Sequence, residues 1–383
     1  MLVDRYKPYI SGVTNCVALN KLYLEKLGHR VYVFTFGDLG YVDEEPNVIR
    51  SQGLPLIDTG FQINFQYSKA ARRVLNTLDI AHIHHPFLSG SLALNYLRPR
   101  GIPLVFTNHT RYDLYAQAYL PMLPESIGET AMRAFLPRFC RSVDLVIAPS
   151  SGLMRVLEHF GVKANIQIIP NGVNLKPFRN PANYLDRSTF GMSEKDVVLI
   201  YVGRLGPEKN LPFLLRSFTG IAHAVDNVHL VIAGDGPERD NLEDSAMQSG
   251  VGERIHFTGL VPYSEVPRYL SMADAFVTAS VTEVHPLTVI EAMARGLPVL
   301  GIDSPGVGDT IQDGVSGFLA NHEIAIYTAK MMRLVSEPDL RRSMGENARL
   351  AANQYNIERT IQMTLDQYNA LIVSSYGPQQ TGA

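Results

Sequence analysis

One pattern governs what this chain can fold into. Short runs rich in β-branched residues alternate with stretches whose apolar residues recur at helical spacing, and the alternation occurs twice. Strands separated by helical crossovers build parallel sheets covered on both faces, so the pattern implies a doubly wound α/β architecture. In the first half the strand-like runs are LVD (2–4), RVYVFTF (30–36), DIAHIHH (79–85), PLVFTNH (103–109), DLVIAPS (144–150) and IQIIPNG (166–172). Between the first two lies VTNCVALNKLYLEKLG, a helical pattern with Gly28 as its stop. A polar segment around 174–195 breaks the rhythm and reads as a linker. The alternation restarts with VVLIYVG (197–203), HLVIAGDG (229–236), RIHFTGL (254–260), DAFVTAS (274–280) and LPVLGI (297–302), and the tail from about 323 reads as helices.

A chain of 383 residues is too long for one ordinary core. Two Rossmann-like domains are therefore expected, over 1–175 and 176–355, facing across a cleft with ligands at the carboxyl ends of their strands. A final helix, 356–383, is expected to pack back on the first domain. Residues 1–180 hold 19 Lys+Arg and 13 Asp+Glu, a balance of +6, against 15 and 24, or −9, in the remainder. Either two domains with different tasks or chance placement of solvated charges fits that asymmetry.

Several classes are disfavoured. Gly234-Asp235-Gly236-Pro237 lacks the third glycine of a dinucleotide fingerprint, the turn at Ser11-Gly12 has one glycine, and no Walker lysine motif occurs. Cys16 and Cys140 offer neither zinc spacing nor a disulfide framework, which points to a reducing compartment. The start, MLVDRYKPYISG, lacks the apolar stretch of a signal peptide, and no apolar run approaches membrane-spanning length. A cytoplasmic protein is expected, touching at most the inner face of the membrane.

Two constellations carry chemistry. In TEVHPLTVIEAMARGLPV (282–299), Glu283 and Glu291 bracket seven residues. Pro286 suits a first helical position with His285 as its cap, and Gly296 ends the helix. Glu283 would then lie in the loop and Glu291 roughly 7–8 Å along the helix. The amides at the helix start, at Leu287 and Thr288, suit a phosphate between them. That geometry fits one ligand held at both ends better than a hydrolase carboxylate pair, though two surface acids share the spacing. The second constellation is Gly203-Arg204-Leu205-Gly206-Pro207-Glu208-Lys209-Asn210, where a strand runs into a loop carrying two cations. Arg offers a planar fork to phosphate oxygens and Lys a flexible point charge, unless both are ordinary solvated cations.

GRLGPEKN, GDGPERDNLE, FTGLVPYSEVPRYLSMADAFVTAS and E-x7-E, in this order over 197–320, resemble the nucleotide-sugar domain of retaining glycosyltransferase family 4, of GT-B fold. The resemblance continues more weakly through YKPYISGVTN, HIHHP, VFTNHT and IIPNGVN. It implies that Arg204 and Lys209 neutralise a donor diphosphate, approached by the loop at Gly12. Glu291 would hold the ribose, Gly259 and Leu260 would border the base, and Glu283, His285 and Pro286 would lie near the transferred sugar. His109 would sit beside its reacting carbon. Family members often carry glycine just after the first glutamate, whereas this chain has Val284-His285 and then Pro286, which has no N–H to donate.

His82, His84 and His85 end a strand and could be a metal cluster, or else hydrogen-bonded structural or substrate-facing groups. No D-x-D occurs, which suits a diphosphate neutralised by Arg204, Lys209 and a helix end without a metal or other cofactor. The implied reaction moves a hexose, by resemblance glucose from UDP-glucose, to an acceptor hydroxyl with retention. Front-face displacement is expected, with the leaving phosphate as base and domain closure assembling the site. The acceptor is expected to be a cell-envelope polysaccharide or glycolipid. MRAFLPRFCR (132–141), with Pro137 interrupting its amphipathic pattern, and KAARRVL (69–75) could rest on an anionic membrane or be ordinary solvated helices. The tyrosine-rich TNHTRYDLYAQAYLP resembles acceptor loops of relatives that glucosylate diacylglycerol. An epimerase or phosphorylase on the same fold, or a silent sugar-nucleotide-binding protein, stays open, and no nucleic-acid partner is expected.

Overall fold

The computed structural model describes residues 1–9, 11–55, 62–63, 66–114 and 125–377. They form two compact units: Met1–His109 with Glu129–Gly172 and Ile357–Ala383, and Thr110–Gly128 with Val173–Asn356.

In the first unit, four parallel strands lie in the order Ala81–Ile83, Leu104–Thr107, Leu145–Ala148, Ile166–Ile168. Val33–Phe36 pairs in parallel with Val48–Ser51, a strand the sequence pattern did not reveal. The run read as a first strand at 2–4 contracts to Leu2, which bridges both Phe34 and Ile83. Helix Gly12–Lys26 starts where the Ser11 hydroxyl accepts from the Thr14 amide, and Gly28 follows it at φ 90°. Helix Ile357–Tyr376 buries Ile357, Ile361 and Tyr368 in the same core as Val17, Tyr23 and Leu24.

The second unit holds six parallel strands in the order Ile255–Gly259, Val228–Ala233, Val197–Val202, Ala275–Val277, Val299–Ile302, Gly317–Ala320. Numbered along the chain this is 3-2-1-4-5-6, the doubly wound order, with its reversal between Val197–Val202 and Ala275–Val277. Every residue of Val197–Val202 is buried. Val197, Leu199 and Tyr201 enter one core and Val198, Ile200 and Val202 the other, because successive side chains point to opposite faces of a sheet covered on both sides. The last strand escaped the sequence reading, since GFLA is short and begins with glycine. That glycine is required there: a Cβ at Gly317 would lie 2.1 Å from the Val299 carbonyl oxygen.

The segment read as a linker is a packed part of this unit. Leu175, Phe178 and Met192 are buried in its core, and Arg187 donates to the Met272 and Asp196 carbonyls and to Asp274. Its polar residues anchor loops, a role composition alone does not show.

Candidate functional site

The reversal of strand order leaves a crevice at the carboxyl ends of Val197–Val202 and Ala275–Val277, and the two sequence constellations meet there. After the first strand come Gly203, Arg204 and the turn Pro207–Lys209. Glu283 comes from the loop after the second. Lys209 Nζ donates to Glu283 Oε1 at 2.5 Å. Burial pushes the Glu283 carboxyl up, but the Lys209 charge and hydrogen bond, with a bond from Ser280, outweigh it and hold the acid below its usual range. Arg204 Nη1 donates to the buried Glu208 at 3.2 Å, and the Tyr201 hydroxyl donates to the Arg204 carbonyl. Ser280 and Thr282 hydroxyls donate to the Glu208 carbonyl at 3.4 and 3.3 Å, and Asn210 Nδ2 to the Ala279 carbonyl at 3.2 Å. The cation loop and the acid loop are thus tied to each other by backbone and side chain.

Helix Leu287–Arg295 begins one residue later than the sequence reading placed it. Pro286, at ψ 105°, is its extended N-cap, and His285 makes no capping bond. His285 is instead buried, edge-on to Tyr355 at 5.0 Å, with no partner at Nδ1 among the described residues, and burial lowers its pKa to about 4. Leu287 and Thr288, half-buried, carry the first helical amides, which have no acceptor within the helix. Glu291 is buried one turn on, accepting from the Tyr263 hydroxyl at 2.9 Å. Burial raises its pKa to about 7 despite that bond. Tyr263 was not singled out from the sequence. Its signal is position, four residues after Gly259, where the adjacent strand ends at φ 73°. Leu260 beyond it is 68% exposed.

A raised carboxyl pKa has a definite sign in stability. The folded state holds the Glu291 proton more tightly, so this contribution is present below pH 4.5 and lost as pH rises through about 7. Glu291→Gln is therefore expected to melt higher than the parent above pH 7, by at most ~3 kcal/mol, and to gain nothing below pH 4.5. Thermal melts of both proteins from pH 4 to 9 check this.

The first unit carries Gly12 and His109. Gly12 opens its helix, and a Cβ there would meet nothing within 4 Å. His109, half-buried, follows strand Leu104–Thr107, and its Nε2 lies 2.9 Å from His84 Nδ1. The strand-end histidines are bonded one by one: His82 to Thr107 Oγ1 at 2.6 Å and to the Tyr368 hydroxyl, and His85 Nδ1 to the Asp4 amide at 3.2 Å. Among the described residues no group of three or more His, Cys, Asp or Glu could hold a metal ion. A cavity of about 20 Å³, room for one water, is lined by His82, Thr107, His109, Cys16 and Asn171 among others.

Helix Glu125–Arg141 carries Pro137 in its interior without a break. Arg133 is engaged by Glu129 and the His159 carbonyl, while Arg138 and Arg141 are exposed. The tyrosine-rich stretch read as an acceptor loop, 107–121, lies outside the described residues from 115 onward. Among the described residues no helix is long and apolar enough to cross a membrane.

Two family models match the chain: one described as glycosyltransferase family 4 over residues 10–176, and one described as glycosyl transferases group 1 over 185–351. An alpha-monoglucosyldiacylglycerol synthase of Streptococcus pneumoniae is 31% identical over 352 residues, covering 89% of this chain and 79% of the relative. One of Acholeplasma laidlawii is 28% identical, covering 92% of each. Among solved structures, Anabaena HepE in complex with UDP and glucose superposes with TM-score 0.73 at 19% identity, covering 96% of this chain and 98% of that one. Sucrose-phosphate synthase of Thermosynechococcus elongatus gives 0.78 at 22%, covering 95% and 94%. Sheet order, motif series and these matches agree: the chain belongs to glycosyltransferase family 4, with two Rossmann-like domains of the GT-B fold.

Proposed function

We propose that the chain transfers glucose from UDP-glucose to a diacylglycerol-type lipid acceptor, with retention at the anomeric carbon. The observation that carries this reading is the Lys209–Glu283 pair at the strand-order reversal, beside Arg204, a helix start and the buried Glu291. A ligand with phosphates in the middle and hydroxyls at both ends matches that succession of charges. The names of the two synthases support glucose as the sugar and diacylglycerol as the acceptor.

Arg204 and Lys209, with the amides of Leu287 and Thr288, take the diphosphate, and Glu291 accepts from the ribose hydroxyls. Gly259 and Leu260 border the base. Glu283, held ionised by Lys209, accepts from the sugar, with His285 and Pro286 shaping the wall around it. Gly12 and His109 act from the first unit. The bond from the anomeric carbon to the phosphate oxygen breaks while the acceptor oxygen bonds on the same face, and the acceptor's proton passes to the departing phosphate. Fixed cations help most where that negative charge develops.

The reading uses no divalent ion, with Arg204, Lys209 and the helix-start amides facing the diphosphate. Turnover in excess EDTA is expected to stay within about twofold of the untreated rate, since Arg204 and Lys209 do what a metal would do. A loss restored by added magnesium or manganese would contradict this. Ionised Glu291 is the better acceptor, so donor KM should also fall as pH rises through about 7.

Exposed Lys69, Arg73, Arg138 and Arg141, with Phe87 stacked on Phe135 at 5.1 Å, suit a membrane surface from which a lipid acceptor is drawn. The deciding experiment supplies UDP-glucose with and without anionic vesicles containing diacylglycerol. UDP release that requires diacylglycerol, with an α-glucosyl lipid product, supports the reading. Sugar inversion without release would mark an epimerase, and binding alone a silent partner.

A further inference from the structure

His84 is fully buried, and its two ring nitrogens have different surroundings. Nδ1 lies 2.9 Å from His109 Nε2, while Nε2 has no hydrogen-bond partner among the described residues. The ring is clamped by stacking on His82 at 4.1 Å, and His82 is itself bonded at both nitrogens, to Tyr368 and Thr107. Burial and the neighbouring histidines keep His84 well below its ordinary pKa and therefore neutral, with one proton to place.

Two placements are possible. A proton on Nε2 would leave a buried N–H donor without an acceptor, which native structures rarely tolerate. A proton on Nδ1 leaves only an unmatched lone pair and makes the 2.9 Å contact a hydrogen bond to His109. His109 Nε2 is then the acceptor, so neutral His109 must carry its own proton on Nδ1. We propose that His84 is a positioning residue that fixes His109 as the Nδ1–H tautomer, so that His109 meets the bound glycosyl donor as a hydrogen-bond donor and takes up no proton. The role of His109 rests on the function proposed above; the tautomer does not.

Imidazole ¹⁵N shifts of the full chain, with His109 assigned by its loss in His109→Ala, read the tautomer directly. A protonated Nδ1 and unprotonated Nε2 on His109, reverting toward Nε2–H in His84→Leu, support the proposal; Nε2–H in the parent protein overturns it. Kinetics supply the second reading. His84→Leu keeps an apolar side chain of similar size without a donor, and should lose kcat on the order of 10²-fold with donor KM little changed. His84→Asn carries an N–H near the Nδ1 position and should recover most of that loss. Equal losses in the two variants would overturn the positioning role. Should His84→Leu not fold, the parent spectrum and His84→Asn still decide. A parent protein that transfers no sugar would remove the proposed function and leave the tautomer measurement standing.

Discussion

Lys209→Ala is expected to lower kcat by ~10²–10³-fold, the usual cost of removing one fixed donor from a developing oxyanion. Its ammonium sits 2.5 Å from Glu283 at the reversal of strand order, with about a fifth of each side chain exposed. Two roles are compatible with that distance: a cation for the diphosphate, or merely the counter-ion of Glu283. Comparing Lys209→Met in the parent with Lys209→Met in a Glu283→Gln background separates them. A mere counter-ion has nothing left to balance once Glu283 is neutral, so its removal there should cost no further turnover. Removal of a diphosphate cation costs roughly a further tenfold or more in both backgrounds. Turnover of Lys209→Ala within tenfold of the parent would sink the assignment.

Gly306→Ala should be nearly as damaging, although Gly306 has no chemistry of its own. Its φ is 89°, and a Cβ would lie 2.5 Å from the Glu283 carbonyl oxygen and 2.6 Å from the Val284 carbonyl carbon. Those atoms are backbone and cannot rotate away. The alanine must therefore carry left-handed strain of about 1–3 kcal/mol and displace the Glu283–Val284 peptide, which moves Glu283 off Lys209. Such a strain is expected to lower the melting temperature by roughly 2–4 °C per kcal/mol for a domain this size. Catalysis should fall by about 10²-fold or more, because ångström misplacements of a positioned group are that costly. Steady-state kinetics with a melt on the same preparation check both. An unchanged kcat would mean that Glu283 needs no exact seat.

Much of this was legible in the sequence. The alternation of strand-like and helical runs implies parallel sheets, because a chain that returns in the same direction must cross over through a helix. The strand ends that carry Arg204, Lys209 and Glu283 follow from the same pattern. The failures are of one kind. Gly317–Ala320 was missed because four residues opening on glycine show no period, and its pairing with Val299–Ile302 makes it a strand. The 174–195 stretch reads as polar and open, yet its few apolar residues are buried in a core built from strands far away in sequence. Pro286 reads equally as a first helical residue or as the residue before one. Its ψ of 105° decides, and leaves His285 buried against Tyr355 instead of capping the helix.

The sequence by itself determined the class of fold, the family and the residue types available at the strand ends. Those depend on local periodicity and on motif order, which are properties of neighbours along the chain. Only the tertiary structure decided who meets whom: Lys209 with Glu283 across 74 residues, Tyr263 with Glu291, His84 with His109, and Gly306 beneath Glu283. In the second unit the order of strands reverses at one point, so Lys209 and Glu283, remote in sequence, come to share one crevice, where burial and charge set the protonation of Glu283.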